Sequence, residues 1–269
     1  MKKVISFCLY NNRPKDILNG VINCFLASKL YPDWVCYFYV DDTLPVEINQ
    51  VLHTFGNVKV IDMPRHRGNE AMLWRFLPAS DNDVDVMISR DADSWLNSRE
   101  VVCVNQWVNS NKDFHIIRDH CYHSKKVMGG MWGIKNRILP EMKTWCEEYS
   151  KDNTYDQGFL EDKIYPLIST NLMVHLGDQH DNTGNRTNGY FNDGGIPIPA
   201  YEEIDEPVKG FSFNEISSLN ANFCSHCKKT HVKYIGGIME KIPSRSLQAL
   251  KEYFISLNIN TVIIDSIKG

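Results

Sequence analysis

The sequence predicts an α/β fold, a mainly parallel sheet covered by helices on both faces and followed by an irregular C-terminal extension. Three observations carry that expectation. Over residues 4–89, short apolar runs of strand length alternate with segments whose apolar residues recur at helical spacing, the pattern of a parallel sheet with crossover helices. The fourth run opens directly into Arg90-Asp91-Ala92-Asp93-Ser94, and ligands of such sheets gather beyond the carboxyl ends of the strands. Beyond residue 196 the periodicity fades, so a core is expected over 1–200 and an extension packed on it over 201–269.

Residues 4–10 read as the first strand. Asn12 and Pro14 stand where a helix starts, because proline's missing N–H costs nothing in a first turn; Ile17, Leu18, Val21, Ile22, Phe25 and Leu26 follow at helical spacing. Residues 35–40 form the second strand. Thr43 is placed to cap the next helix, with Pro45 in its first turn, Ile48, Val51, Leu52 and Phe55 as its buried stripe, and Gly56 at its end. A third strand over 58–63, a helix over 70–77 and a fourth strand over 84–89 complete the regular half. The second half is expected to hold a helix Ser98–Val108, a strand Phe114–Arg118, a glycine-bearing segment 127–134, a helix over 140–149, another beginning near Asp156, and a strand Leu172–Leu176. Residues 177–195, rich in Asp, Asn, Gly and Thr, read as a surface loop or lid. A helix around 246–257 and an apolar run over 261–267 close the tail.

At 269 residues the chain holds one large α/β domain or two small ones. Its apolar content of 43% and aromatic content of 11% suffice for an extensive core and argue against disorder. A net charge of -4 supplies no field to attract DNA or RNA, so no nucleic-acid partner is expected, although local basic groups can still hold an anion. The opening MKKVISFCLYNNRP reads as a buried strand rather than a leader: the apolar stretch is short, contains Ser6, Cys8 and Tyr10, and precedes no small-residue cleavage pattern. No segment approaches the roughly eighteen continuous apolar residues of a membrane span, while peripheral attachment stays open. Most cysteines sit inside apolar patterns, where a thiol packs as a small hydrophobe, and this points to a reducing, cytoplasmic setting.

Asp91 and Asp93 carry the chemistry. If the strand continues through them, period-two geometry aims both carboxylates at one ligand and turns Ala92 away. Two hard oxygen donors, joined by diphosphate oxygens, suit Mg²⁺ or Mn²⁺. Asp-x-Asp alone is a weak signal, common in surface turns; its position at a strand end is what raises it.

The block MLWRFLPASDNDVDVMISRDADSWLN, with IIRDHCYHSKKVMGGMWGIKN and YDQGFLEDKIYP after it, resembles the GT-A class of nucleotide-sugar glycosyltransferases, in particular the glycosyltransferase-8 and -32 types, over most of residues 4–175. The combined order is far more specific than any fragment. The resemblance implies a GT-A-like, Rossmann-type fold. It also implies a hexosyltransferase-like enzyme that moves a sugar from a nucleoside-diphosphate sugar, such as a UDP-sugar, to a glycan or other hydroxyl acceptor, using Mn²⁺ or Mg²⁺ and retaining the anomeric configuration.

It further implies roles for particular residues. Phe7, Leu9, Tyr10 and Asn11 contact the nucleotide. Asp41 or Asp42 accepts hydrogen bonds from the base or ribose, unless both merely cap the neighbouring helix through Thr43's turn. Arg75 approaches the donor phosphate or the metal-bound carboxylates, the bland alternative being a surface salt bridge. Asp91, Ala92 and Asp93 face the metal and diphosphate; Gly129 and Gly130 admit a close ligand or a tight turn. Trp132 is a wall against the sugar or a core residue. Asp156 and Gln157 lie on the acceptor or catalytic side, or simply start a helix. His175 is the leading third metal ligand, with His180 behind it, and an ordinary core or exposed histidine is the competing reading for each. Arg118, His120, His123, Lys125 and Lys126 hold diphosphate or an acidic acceptor, or line a solvated loop.

Separately, Cys224, Cys227 and His231 have the spacing of three soft ligands for a structural Zn²⁺, or form a reactive dithiol or a pair of buried thiols. Two other functions fit parts of the pattern. A nucleotidyltransferase also pairs aspartates on an α/β sheet, but the basic glycine-rich loop it needs is absent near Asn12. A non-catalytic carbohydrate-binding protein needs only the sheet and Trp132.

Overall fold

Eight strands form the central sheet of the computed structural model, in the order β3-β2-β1-β4-β6-β5-β7-β8. They are β1 Lys3–Leu9, β2 Trp34–Val40, β3 Val58–Asp62, β4 Val86–Ser89, β5 Phe114–Arg118, β6 Trp132–Lys135, β7 Leu172–Leu176 and β8 Ile196–Pro197. Only β6 runs against its neighbours β4 and β5; every other pairing in this sheet is parallel. The structure describes residues 1–11, 13–66, 68–118, 125–150, 155–176 and 195–198, with short strand pieces at 207–208, 211–212, 221–223 and 230–232. The tail helix and apolar run expected over 246–267 lie outside the described residues.

Alternation along β1 sorts the core into two layers. Ile5, Phe7 and Leu9 pack with α1 (Pro14–Leu30), α2 (Val46–His53) and α3 (Ser98–Val108). Val4 and Cys8 point to the opposite face, against a 3₁₀ helix Asn69–Ser80, α4 (Met142–Tyr149) and the segment formed by α5 (Asp156–Phe159), a π turn Leu160–Ile164 and α6 (Tyr165–Ile168). The α/β architecture with helices on both faces is therefore as the sequence predicts.

Three local expectations change. Helix α2 starts at Val46 with Pro45 in the capping position, because the Thr43 hydroxyl is taken by Asp41 and by the Asn11 amide. The helix then ends at His53, before Gly56, where the Thr54 hydroxyl donates to the Val51 carbonyl at 2.6 Å. The segment around Arg75 winds as a 3₁₀ helix and carries Pro78 within it. Among the described residues no helix is long and apolar enough to cross a membrane. Among the described residues Cys8, Cys24, Cys36, Cys103 and Cys146 are buried and form no disulfide.

Candidate functional site

The strand order reverses between β1 and β4, so the chain leaves the two carboxyl ends in opposite directions and a crevice opens between them. A cavity of about 280 Å³ lies there. The end of β1 lines it with Cys8, Leu9, Tyr10 and Asn11, the start of α1 with Arg13 and Asp16, and the 3₁₀ helix with Met72 and Arg75. Asp91, Ala92 and Asp93 after β4, with Gly129, Asp156 and Gln157, complete the wall.

Arg75 organises this wall. It is only 6% exposed. Its Nη1 donates to Asp91 Oδ1 at 2.5 Å and its Nη2 donates to Asp156 Oδ2. Burial opposes the guanidinium charge, but Asp91 and Asp156 more than offset it, so the group stays protonated. One planar fork thus holds two carboxylates that repel each other, a task a single ammonium performs poorly.

The glycines serve close approach. A Cβ on Gly129 would overlap Asp156 Oδ2 and Arg75 Nη2, and one on Gly130 would overlap the Asp91 carboxyl and lie 2.8 Å from its amide nitrogen. The segment is fastened to β4 by the Ser89 hydroxyl, which donates to the Gly129 carbonyl at 2.8 Å. Gly130 therefore packs directly behind Asp91 rather than standing free in the cavity.

The Asp-x-Asp segment differs from an extended strand. β4 ends at Ser89, and the Ser94 amide closes a turn on the Asp91 carbonyl at 3.2 Å. Arg90, just before it, points into the core and donates to Glu100 Oε1 at 2.5 Å. The turn still presents both aspartates to the cavity. On the β1 side Asn11 adopts a left-handed conformation with φ 64°, which asparagine tolerates better than most residues, and its amide donates to Thr43 Oγ1 at 2.7 Å.

Other expected residues sit elsewhere. Phe7 is fully buried, because strand alternation turns it into the α1 layer, where it stacks on Phe38 at 4.8 Å. Trp132 is fully buried on the opposite face and stacks on Phe114 at 5.1 Å, so it is a core residue rather than a sugar wall. His175 faces the α3 layer, 1% exposed, with Nδ1 bonded to His115 Nε2 at 2.8 Å and Nε2 to Gln106 Oε1 at 3.0 Å. Both ring nitrogens are engaged far from the cavity wall, which removes it as the third ligand of a metal held by Asp91 and Asp93.

Asp41 does not line the cavity either. Oδ1 accepts from the Thr43 amide and hydroxyl, and Oδ2 accepts from the His66 amide at 2.9 Å and pairs with its Nδ1 at 2.5 Å. Burial alone would raise its carboxyl, but these hydrogen bonds win and bring it down to about 2. With both oxygens taken, Asp41 acts on the site through His66, whose ring packs edge-on against Tyr10 at 4.9 Å. Asp42 lies at the surface and pairs with Arg65 at 3.5 Å. Burial pushes the Cys8 thiol up to about 11 despite Arg75 beside it, so this cavity residue is a neutral thiol.

Arg118 is buried and clasps the Lys126 carbonyl through Nε and Nη2, while Lys125 and the Lys126 amide bond Glu161. His120, His123, His180, Cys224 and Cys227 lie outside the described residues; His231 lies in the short strand Thr230–Val232, opposite Asn222. Sequence reasoning missed Arg13, Asp16 and Met72. The first two flank Pro14 at a helix start that directly follows a strand end, and Met72 stands three residues before Arg75, one turn away on a 3₁₀ helix.

Among described residues no three His, Cys, Asp or Glu side chains cluster in a way that would hold a metal. The two aspartates fit a smaller demand. Mg²⁺ keeps several waters and is commonly held by one or two carboxylates plus substrate phosphates, which two oxygen donors on one cavity wall can satisfy.

No family model matches the chain, and no curated relative matches its sequence. Solved structures resemble it loosely. A glycosyltransferase involved in glycosylating the major capsid of PBCV-1 is 11% identical, with 67% of this chain and 83% of that one covered and a TM-score of 0.45. The galactosyltransferase LgtC, solved with donor and acceptor sugar analogues, is 11% identical over 66% of this chain and 74% of that one, with a TM-score of 0.45. The 4-diphosphocytidyl-2C-methyl-D-erythritol synthase of Anaerococcus prevotii is 11% identical over 69% and 91%, again at a TM-score of 0.45.

Proposed function

We propose that this protein is a GT-A-like glycosyltransferase that transfers a sugar from a nucleoside-diphosphate sugar to a hydroxyl acceptor, with a divalent cation held by Asp91 and Asp93. One observation supports it above the rest: a cavity at the β1/β4 reversal whose wall combines Asp91, Asp93, Arg75, Asp156 and Gln157. A Mg²⁺ or Mn²⁺ held by Asp91 and Asp93 would supply positive charge to offset that developing on the diphosphate.

The chain's own groups supply orientation. Arg75 holds Asp91 toward the donor end and Asp156 toward the reacting sugar. Asp156, 6% exposed and bonded by the Gln157 amide at 2.8 Å, is fixed before substrate arrives, so its carboxylate can orient an acceptor hydroxyl without reorganising. Gln157 adds directional hydrogen bonds at the same wall. Tyr10 and Asn11 offer contacts to the nucleoside from the end of β1.

The test is a screen of nucleotide-sugars with and without Mn²⁺, measuring released nucleotide and free sugar. Wild-type turnover should need the metal, and Asp91→Asn and Asp93→Asn should abolish it while the far-UV circular dichroism stays native. Normal turnover in both variants would sink the metal role. Pyrophosphate-dependent nucleotide exchange in place of sugar release would assign the site to nucleotidyl transfer.

A further inference from the structure

Helix α1 packs an otherwise apolar face on the sheet: Val21, Ile22, Phe25 and Leu26 are all at most 4% exposed. Two asparagines interrupt that face one turn apart, Asn19 at 2% exposure and Asn23 at 0%. A primary amide buried without partners is costly, so each must be answered by something specific. Asn23 Nδ2 donates to the Ala92 carbonyl at 3.2 Å and to the Ser94 carbonyl at 2.9 Å, and its Oδ1 accepts from the Leu96 amide at 3.0 Å. Asn19 Oδ1 accepts from the Trp95 indole Nε1 at 2.8 Å. Every one of these partners falls within residues 92–96, immediately after Asp91.

We propose that Asn23, assisted by Asn19, is a positioning residue that clamps the inner side of the Asp91-Ala92-Asp93 turn so that both carboxylates face the cavity. That the turn then serves metal and donor rests on the sugar-transfer reading. A turn has inward-facing carbonyls and amides that no strand neighbour satisfies, and here one side chain answers three of them. Asparagine is suited to this because it carries two donors and an acceptor on one rigid plane. Aspartate would set an oxygen against two carbonyls, and leucine would leave all three backbone groups unpaired. The same helix places Arg13 and Asp16 on the cavity, so α1 ties one wall of the site to the turn that forms another.

The experiment compares Asn23→Ala with Leu52→Ala, a core truncation in α2 away from the cavity. Two properties are read: amide hydrogen exchange over residues 91–96 in metal-free protein, and Mn²⁺ binding in the presence of UDP. Exchange over 92–96 should rise in Asn23→Ala well beyond its rise in Leu52→Ala, and Mn²⁺–UDP binding should weaken about 10- to 100-fold in the first variant alone. In turnover the loss should appear chiefly in KM for the metal–donor complex. If Asn23→Ala does not fold, Asn19→Leu, which removes the indole's acceptor, must raise exchange over 94–96. Exchange no faster than in the Leu52→Ala control overturns the proposal whatever the protein binds. Faster exchange with undiminished Mn²⁺–UDP binding overturns the positioning role. If the wild-type protein binds Mn²⁺ with none of UDP, GDP, CDP, ADP and dTDP, the sugar-transfer reading fails, while faster exchange still supports the clamp.

Discussion

Replacing Arg75 with methionine removes the charge that holds Asp91 and Asp156 together while keeping most of the side chain's length. The two carboxylates differ in what they lose. Asp156 has a side-chain exposure of 8% and must then either lie buried without a counter-charge or take up a proton. Asp91, at 28%, can recover part of its solvation from water. Breaking a buried ion pair by removing one partner costs about 3–5 kcal/mol, and the exposure of Asp91 places the expected loss near the lower end, about 3 kcal/mol. A domain with stability of roughly 5–15 kcal/mol stays folded after that loss.

Urea unfolding reads it directly. With a slope of about 2 kcal/mol per molar, the midpoint should fall by roughly 1–2 M at unchanged slope. Adding Asp156→Asn removes the unpaired charge, so the double variant should be more stable than the two single losses added together, by about 1–3 kcal/mol. Arg75→Lys should recover the charge without the second hydrogen bond and fall between wild type and Arg75→Met. Donor turnover should drop about 100-fold in Arg75→Met, the scale of misplacing reacting groups by an ångström. An unchanged urea midpoint with normal turnover, or additive losses in the double variant, would refute the clamp.

Three further outcomes are expected. Gly130→Ala pushes a methyl into the Asp91 carboxyl and Gly129→Ala one into Asp156 and Arg75, so each should lose about 1–3 kcal/mol and most donor turnover, read by urea unfolding and the nucleotide-release assay. Burial holds His175 at about 4, and burial, His175 and Arg90 hold His115 well below the usual histidine range. The unfolded chain therefore binds more protons than the native one below about pH 6.5, and stability that is complete above that pH should fall by roughly 2 kcal/mol for His175 alone between pH 7 and 5, a fall that His175→Gln should blunt. Transfer from an anomerically defined donor should retain configuration, with the acceptor hydroxyl attacking on the face the diphosphate leaves and Asp156 orienting it; NMR of the initial product, taken before mutarotation, settles this, and an inverted linkage rejects it.

The sheet was legible because it depends on local patterns. Runs such as those of β1, β2 and β4 are apolar on both faces, as a sheet covered on both sides requires, and the spacing of Ile48, Val51 and Leu52 could belong only to a helix. On the wall of the cavity, Asp91 to Asp93 were legible from their place at a strand end, whereas Leu9 to Asn11 and Asp156 were singled out by the family resemblance. What periodicity does not provide is which residues of an element reach the crevice. Phe7 and Leu9 share a strand face and both pack under α1, but only Leu9, the last residue of the strand, also borders the cavity.

The histidine and asparagine errors share one cause, which concerns partners rather than position. His175 looked like a ligand because it is a polar residue ending an apolar run; its need for hydrogen bonds is met by His115 and Gln106, both invisible from its own segment. Gln106 Oε1 can only accept, so His175 Nε2 carries the proton and its Nδ1 must accept from His115 Nε2; neither nitrogen of His175 is left to bind a metal, and the chain ends at His115 Nδ1, which is buried with no partner among the described residues. Asn19 and Asn23 stand in an apolar stripe, and their partners too are invisible from their own segment, lying about seventy residues away in the turn after β4. A polar residue inside an apolar stripe is thus a statement that some distant backbone or side chain needs it. Here the Asp91–Asp93 turn needs two such residues from α1, and the helix surrenders part of its apolar face to provide them.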